Sequence, residues 1–153
     1  HLDLKPANVV LRGGHNAVLV DFGLAGRTIR PGCGSAAYSP PEVWGYGPEA
    51  STASATAADV YAFACLAFET LTGQLLFDAD NEVNMISQHM AHDGLPPRLR
   101  LLAQNPRLGP LAELMFTALR RDPQARMPIG DLDREIARVG RHLEGLSWPI
   151  AFG

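Results

Sequence analysis

Residues 57–73 read AADVYAFACLAFETLTG, and this stretch limits the folds open to the chain more than any other. Its apolar side chains run almost all the way round a helical wheel instead of along one stripe. A helix of this kind, about four turns long, has no face suited to water, so other elements must wrap it. Thr56 or a neighbouring serine could cap its start, and Gly73 fits its C-terminal stop. With 153 residues, 46% of them hydrophobic, the chain has enough apolar material for one domain built around such an axis. Cys65, inside the run, reads as a buried free thiol.

The wrapping elements are visible on either side. NEVNMISQHMAH (81–92) and GDLDREIARVGRHL (130–143) have the period of amphipathic helices, and GPLAELMFTALRR (109–121) reads as another helix, ended by Asp122-Pro123. LPPRLRLLAQNPRLG (95–109) has proline towards both ends and reads as loop. Asn8–Leu11 and Ala17–Val20 are short β-type runs joined by RGGHN, which predicts a β-hairpin with one face protected from solvent. DFGLAGRTIRPGCGSAAYSPPE (21–42) has no period and is a long loop of the functional kind. GYGPEASTASATA (45–57) reads as a small-residue linker, and SWPIAFG as a tail that docks Trp148 and Phe152 on the core. The order predicts an α+β fold, mostly α, without the βαβ alternation of a doubly wound sheet.

The bulk properties exclude several classes of function. A formal net charge of −3 supplies no basic field for nucleic acid. The local groups Arg98, Arg100, Arg107 and Arg120, Arg121, Arg126 read as solvated faces or loops. Cys33 and Cys65 form no CxxC pair, which makes a reducing, intracellular and cytoplasmic setting the expectation. No apolar run approaches the roughly 18 residues of a membrane span. His89 and His92 lie at i, i+3 but lack an evident carboxylate or cysteine partner for a metal.

The chemistry is concentrated at the start, in HLDLKPANVVL. His1-x-Asp3-x-Lys5-x-x-Asn8 precedes one hairpin strand, and Asp21-Phe22-Gly23 follows the other. A hairpin brings its two ends together, so Asp3, Asn8 and Asp21 can meet at one edge. An amide oxygen and a carboxylate are hard donors, suited to Mg²⁺ that also binds phosphate. A further carboxylate could accept a hydroxyl proton, and a lysine could offset charge on a transferring phosphoryl group. The set suits phosphoryl transfer, in which positioning and electrostatics dominate.

On these residues the chain resembles the C-terminal lobe of a eukaryotic-type Ser/Thr protein kinase. HLDLKPAN resembles the catalytic-loop motif H-R-D-x-K-x-x-N, DFG is intact, and SPPE stands where the family has A-P-E. DVYAFA (59–64) resembles a stretch of the family's central helix, and RDPQAR (121–126) its late D-P-x-x-R motif. The resemblance implies one C-lobe over residues 1–153, with the catalytic loop and activation segment in 1–42 and a helical subdomain in 55–145. It implies ATP and Mg²⁺ as cofactors and a protein substrate. It implies that Asp3 is the catalytic base, that Lys5 contacts the γ-phosphate, and that Asn8 and Asp21 bind Mg²⁺. His1 would pack under the Asp-Phe-Gly turn, and Ser35 would bond to the catalytic Asp and Lys. Asp59 would accept backbone N–H groups of the catalytic loop, and Glu42 and Arg126 would form a buried ion pair.

The departures also carry expectations. Leu2 stands where the family has the arginine that pairs with a phosphorylated activation loop, so control through a phosphate on Thr28 is not expected. Ala64 and Leu76 replace a usual glycine and proline and look tolerable. The Gly-rich loop, strand lysine and αC glutamate are not in the sequence, which implies an N-lobe in cis and a chain that is an N-terminally truncated fragment with little activity alone. The absence of the helix that normally precedes the catalytic loop should expose apolar surface. Two other readings remain: a catalytically inactive split kinase or pseudokinase-like scaffold, and a small-molecule phosphotransferase.

Overall fold

The computed structural model describes residues 1–46 and 53–152. The 57–73 run forms the axis of the fold. Helix α1 spans Ala55–Thr72, and Val60, Tyr61, Ala64, Cys65 and Phe68 along it are buried. Gly73 ends it in the left-handed conformation, φ 71°, with its N–H on the Glu69 carbonyl at 2.8 Å. The start differs from expectation. The helix begins two residues before the 57–73 run; Ser54, a neighbouring serine of the kind expected, occupies the cap position without a side-chain cap bond, and its hydroxyl lies 2.7 Å from that of Thr56. Ala55–Ala57 therefore belong to the helix and not to a linker, while residues 47–52 of that proposed linker lie outside the described residues.

Four further helices among the described residues surround the axis: α2 (Glu82–Met90), α3 (Pro97–Leu102), α4 (Gly109–Ala118) and α5 (Ile129–Leu143). Asn81 caps α2 by accepting from the Asn84 N–H at 2.9 Å. Helix α3 corrects the loop expected over 95–109. Pro97 sits in its first turn, where a missing N–H has no helical partner to lose, and Leu99 and Leu102 are fully buried beneath it. Helix α4 ends at Ala118, before Asp122-Pro123, where Asp122 instead caps a short 3₁₀ turn. Leu108, Met115 and Leu119 complete the core around α1. Burying side chains of this size stabilises the fold by about 1.5–3 kcal/mol each.

The tail docks differently from expectation. Trp148 is 55% exposed, and Ile150 takes the buried place, its N–H bonded to the Leu71 carbonyl at 2.8 Å. Phe152 does pack on the core, edge-on to Phe68 with ring centres 5.1 Å apart. Three of the basic side chains read as solvated are tie-points: Arg98 bonds the Leu75 carbonyl and Asp78, Arg120 grips Asp93 with two N–H groups, and Arg126 is buried against Glu42.

Strands β1 (Val9–Arg12) and β2 (Asn16–Leu19) form the predicted antiparallel hairpin, with Val9 opposite Leu19 and Leu11 opposite Ala17. Its protected face is not realised. Leu11 is 62% exposed and Leu19 42%, because the Val9–Leu11–Ala17 face looks onto an open apolar groove of about 510 Å³ instead of a packed layer. Phe63 and Leu66 of α1, Leu111 of α4 and Leu143 of α5 line its far side. Pro6 and Val9 put this exposed apolar surface beside the opening segment of the chain. No helix among the described residues is long and apolar enough to cross a membrane.

Candidate active site

The hairpin and α1 together position the opening segment. Leu2 N–H donates to Asp59 Oδ1 and the His1 nitrogen to Asp59 Oδ2, each at 2.7 Å, so one carboxylate from the first turns of α1 holds the first two residues. The His1 ring is oriented by both its nitrogens. Nδ1 accepts from the Asp3 N–H at 3.3 Å, so Nε2 carries the proton and donates to the Val20 carbonyl at 2.9 Å. The ring lies against Phe22 of the Asp-Phe-Gly turn, centre to centre 4.9 Å.

Pro6–Asn8 then makes a 3₁₀ turn, closed by the Asn8 N–H on the Lys5 carbonyl. The Asn8 side chain points back: Nδ2 donates to the Asp3 carbonyl at 2.9 Å and to Asp3 Oδ2 at 3.1 Å. That orientation leaves Oδ1 out of both bonds. The Val20 N–H bonds the Asn8 carbonyl at 3.0 Å, extending the hairpin ladder by one pair and bringing Asp21 next to Asn8 along the sheet edge. Asp21 is exposed, has a positive φ of 60°, and accepts its own Gly23 N–H on Oδ1 at 3.2 Å.

Asp3 is held from a second direction. Ser35, 32 residues away, donates its hydroxyl to Asp3 Oδ1 at 2.9 Å. Lys5 Nζ lies 2.8 Å from Asp3 Oδ2 and 3.0 Å from Ser35 Oγ, closing a three-membered network. Partial burial pushes the Asp3 carboxyl up, but donation from Lys5 and Ser35, the Lys5 charge and the Asn8 amide together hold it below the ordinary carboxylate value. Asp3 is therefore ionised at neutral pH.

Ser35 reaches Asp3 because the long loop is tightly folded around it. Its N–H bonds Ser39 Oγ at 2.9 Å, and the N–H groups of Tyr38 and Ser39 both bond its carbonyl. A Cβ at Gly34 would lie 2.3 Å from Ser39 Oγ, so this approach needs glycine. Below the loop, Glu42 and Arg126 form a buried two-pronged ion pair, 2.6 and 2.8 Å. The remaining Arg126 N–H groups go to the carbonyls of Ala57, Arg120 and Arg121. Leu2, where an arginine would have been polar, is 8% exposed and packs with Ile29, Val43 and Ala58. Thr28, beside Ile29, is exposed.

The donor set bears on a metal. No group of three or more His, Cys, Asp or Glu side chains among the described residues is placed to hold an ion. Asn8 and Asp21 offer hard oxygens on neighbouring backbone positions. Two such donors fit Mg²⁺, which keeps several waters and takes phosphate oxygens instead of demanding an all-protein cage.

The family profile of the protein kinase domain matches residues 1–134. The chain belongs to the protein kinase family. It is 30% identical over 150 residues to the serine/threonine-protein kinase PknB of Mycobacterium tuberculosis, covering 91% of this chain and 22% of that protein. It is 30% identical over 144 residues to the SNF1-related protein kinase catalytic subunit alpha KIN12 of Arabidopsis thaliana, covering 80% and 26%. It is 33% identical over 103 residues to a probable serine/threonine-protein kinase pknA2 of Bifidobacterium longum, covering 63% and 13%. The kinase chain thus spans about a fifth of the length of the first curated relatives it matches.

Two polar contacts of this kinase chain are not evident from its sequence. Tyr38 donates to Glu69 of α1 at 2.6 Å, and burial beside that carboxylate pushes its hydroxyl pKa well up. Tyr61 and His89 bond inside the core at 2.8 Å. A tyrosine in an otherwise apolar helix was the available signal, since a buried phenol needs a partner.

Proposed function

We propose that the chain is the C-lobe of a Ser/Thr protein kinase that transfers the γ-phosphoryl group of ATP to a protein hydroxyl. The observation that carries this is the Asp3–Lys5–Ser35 network: an ionised carboxylate fixed from two loops, beside an Asn8 amide whose oxygen is left free. Asp3 orients the substrate hydroxyl and receives its proton as the oxygen bonds to the γ-phosphorus and the bond to the ADP oxygen breaks. Lys5 sits where it can offset charge on the transferring group. Asn8 and Asp21 would hold Mg²⁺, which supplies neutralisation of phosphate charge when bound. Ser35 keeps Asp3 and Lys5 aligned, while Glu42, Asp59, Arg126 and His1 fix the loops that carry them.

The adenine pocket and the phosphate-covering loop would come from an N-lobe in cis. Full-length protein is expected to transfer labelled phosphate from Mg-ATP to a protein substrate, and this 153-residue chain alone to show no significant transfer. Transfer to small alcohols or amines but not to protein would overturn the reading. Substrate binding without any transfer would favour a scaffold.

The apolar packing of Leu2 on Ile29 and Val43 ties the long loop to the catalytic loop without a phosphate. Thr28→Ala in the full-length protein is therefore expected to keep activity within about twofold, less than about 0.5 kcal/mol in barrier height. An initial-rate assay checks it. Loss of activity restored by Thr28→Glu would show that a phosphate is needed after all.

A further inference from the structure

Two histidines outside this site have proton positions that their partners dictate. His89 of α2 is buried, with Nε2 2.9 Å from the Ala36 carbonyl oxygen. A carbonyl only accepts, so Nε2 bears the proton and Nδ1 is the acceptor. The Tyr61 hydroxyl, 2.8 Å from Nδ1, must then donate to it. Its oxygen is left to accept from His92 Nε2 at 3.3 Å, and His92 Nδ1 accepts the Gly94 N–H at 3.0 Å. Each link has one allowed direction: Gly94 to His92, His92 to Tyr61, Tyr61 to His89, His89 to Ala36. Gly94 is fixed in turn, at φ 90° with the Phe116 carbonyl oxygen 2.7 Å from where a Cβ would be.

The chain of bonds ends one residue after Ser35. Resting on the kinase reading above, we propose that His89 is a positioning residue for phosphoryl transfer: in its neutral Nε2–H form, set by Tyr61, it clamps the Ala36 carbonyl and so holds Ser35 against Asp3 and Lys5. The clamp is braced by Phe77, whose ring centre lies 3.9 Å from that of His89 and 5.3 Å from that of His92.

The surroundings keep both rings neutral. Burial pushes His89 down to about 3, only partly opposed by the bond to Ala36, with His92 adding to the fall. Burial likewise pushes His92 down to about 4; Asp93 opposes this, and Arg121 and Arg126 reinforce it. Arg126 also lies over the Tyr61 ring at 4.9 Å, paired with Glu42, and the buried Cys65 thiol, itself pushed up by burial, is on the same side. Folded values below the ordinary 6.5 mean that neutral His89 and His92 stabilise the fold fully above pH 6.5. That stabilisation is lost as pH falls from 6.5 towards 4 and then 3.

Nitrogen-15 NMR of histidine-labelled full-length protein tests the assignment. Both rings are expected as the Nε2–H form, with no titration between roughly pH 8 and 5. Activity supplies the second arm. His89→Leu and Tyr61→Phe are expected to lower kcat about tenfold, with the KM for ATP little changed, and His89→Gln to recover most of the His89→Leu loss through its amide N–H. A His89 found as the Nδ1–H form, one that titrates near 6.5, or a folded His89→Leu protein with unchanged kcat would overturn the proposal. If the unmodified protein transfers no phosphate while both rings show the expected form, the kinase reading fails, and the positioning role fails with it.

Discussion

Replacing Glu42 with alanine is expected to remove about 3–5 kcal/mol of stability, the range for breaking a buried ion pair from one side. Both side chains are almost wholly enclosed, at 0% exposed for Arg126 and 2% for Glu42. In the variant the guanidinium would keep its three carbonyl partners, but its charge and two N–H groups would face a void. Domains of this kind have only about 5–15 kcal/mol in total, so the variant should melt early or fail to accumulate. Urea titration followed by circular dichroism measures the loss. Glu42→Gln keeps the shape and one acceptor, and should lose less. Glu42→Leu combined with Arg126→Met, which removes the charge from both sides, should recover part of the loss. A Glu42→Ala protein within about 1 kcal/mol of the parent, the worth of an exposed pair, would show that the fork anchors nothing.

Asp3→Asn is the largest expected effect on catalysis: a fall in kcat of about 10²–10⁴, typical of removing a positioned general base. The amide can still accept from Ser35 but cannot take a proton or balance Lys5. The KM for ATP should change little, because in the proposed role Asp3 acts on the acceptor hydroxyl. Lys5 and Ser35 overcome the upward push of burial and keep the Asp3 carboxyl below its ordinary 3.8. The carboxylate is thus ionised throughout the neutral range, and on the proposed reading an acid limb in the rate near pH 6 would have to come from another group. Steady-state kinetics on full-length protein measures both parameters. Asp3→Asn with kcat within tenfold of the parent would remove Asp3 from the base role.

Periodicity made the helical part of this fold legible, and it failed where two signals competed. Helices α2, α4 and α5 follow their amphipathic or apolar spacing. Helix α3 was hidden because Pro96-Pro97 reads as a breaker, although proline fits a first turn. The start of α1 was misplaced because an Ala/Ser/Thr run resembles a linker, yet alanine has the highest helix propensity and the buried face of α1 recruits it. In the tail, the bulky Trp148 stays 55% exposed, and the smaller Ile150 docks instead. At the site, local spacing reaches Asp3, Lys5 and Asn8. It cannot reach Ser35, which arrives through a loop with no period, so that residue came from resemblance. His89 and His92 are legible as a helical pair and Tyr61 as a phenol that needs a partner, but the 28 residues between Tyr61 and His89 hide that they meet.

The Glu42–Arg126 fork joins positions 84 residues apart. Ribosomes add about 5–20 residues per second, so a nascent Glu42 waits roughly 4–17 s for its partner to be made. Throughout that interval the acid must stay in water, and the loop bearing Ser35 has no floor. The Asp3–Lys5–Ser35 network is therefore among the last parts of this chain to assemble on the ribosome, and an interrupted translation product ending before Arg126 would keep its hairpin and central helix sequence yet lack an ordered loop around Ser35.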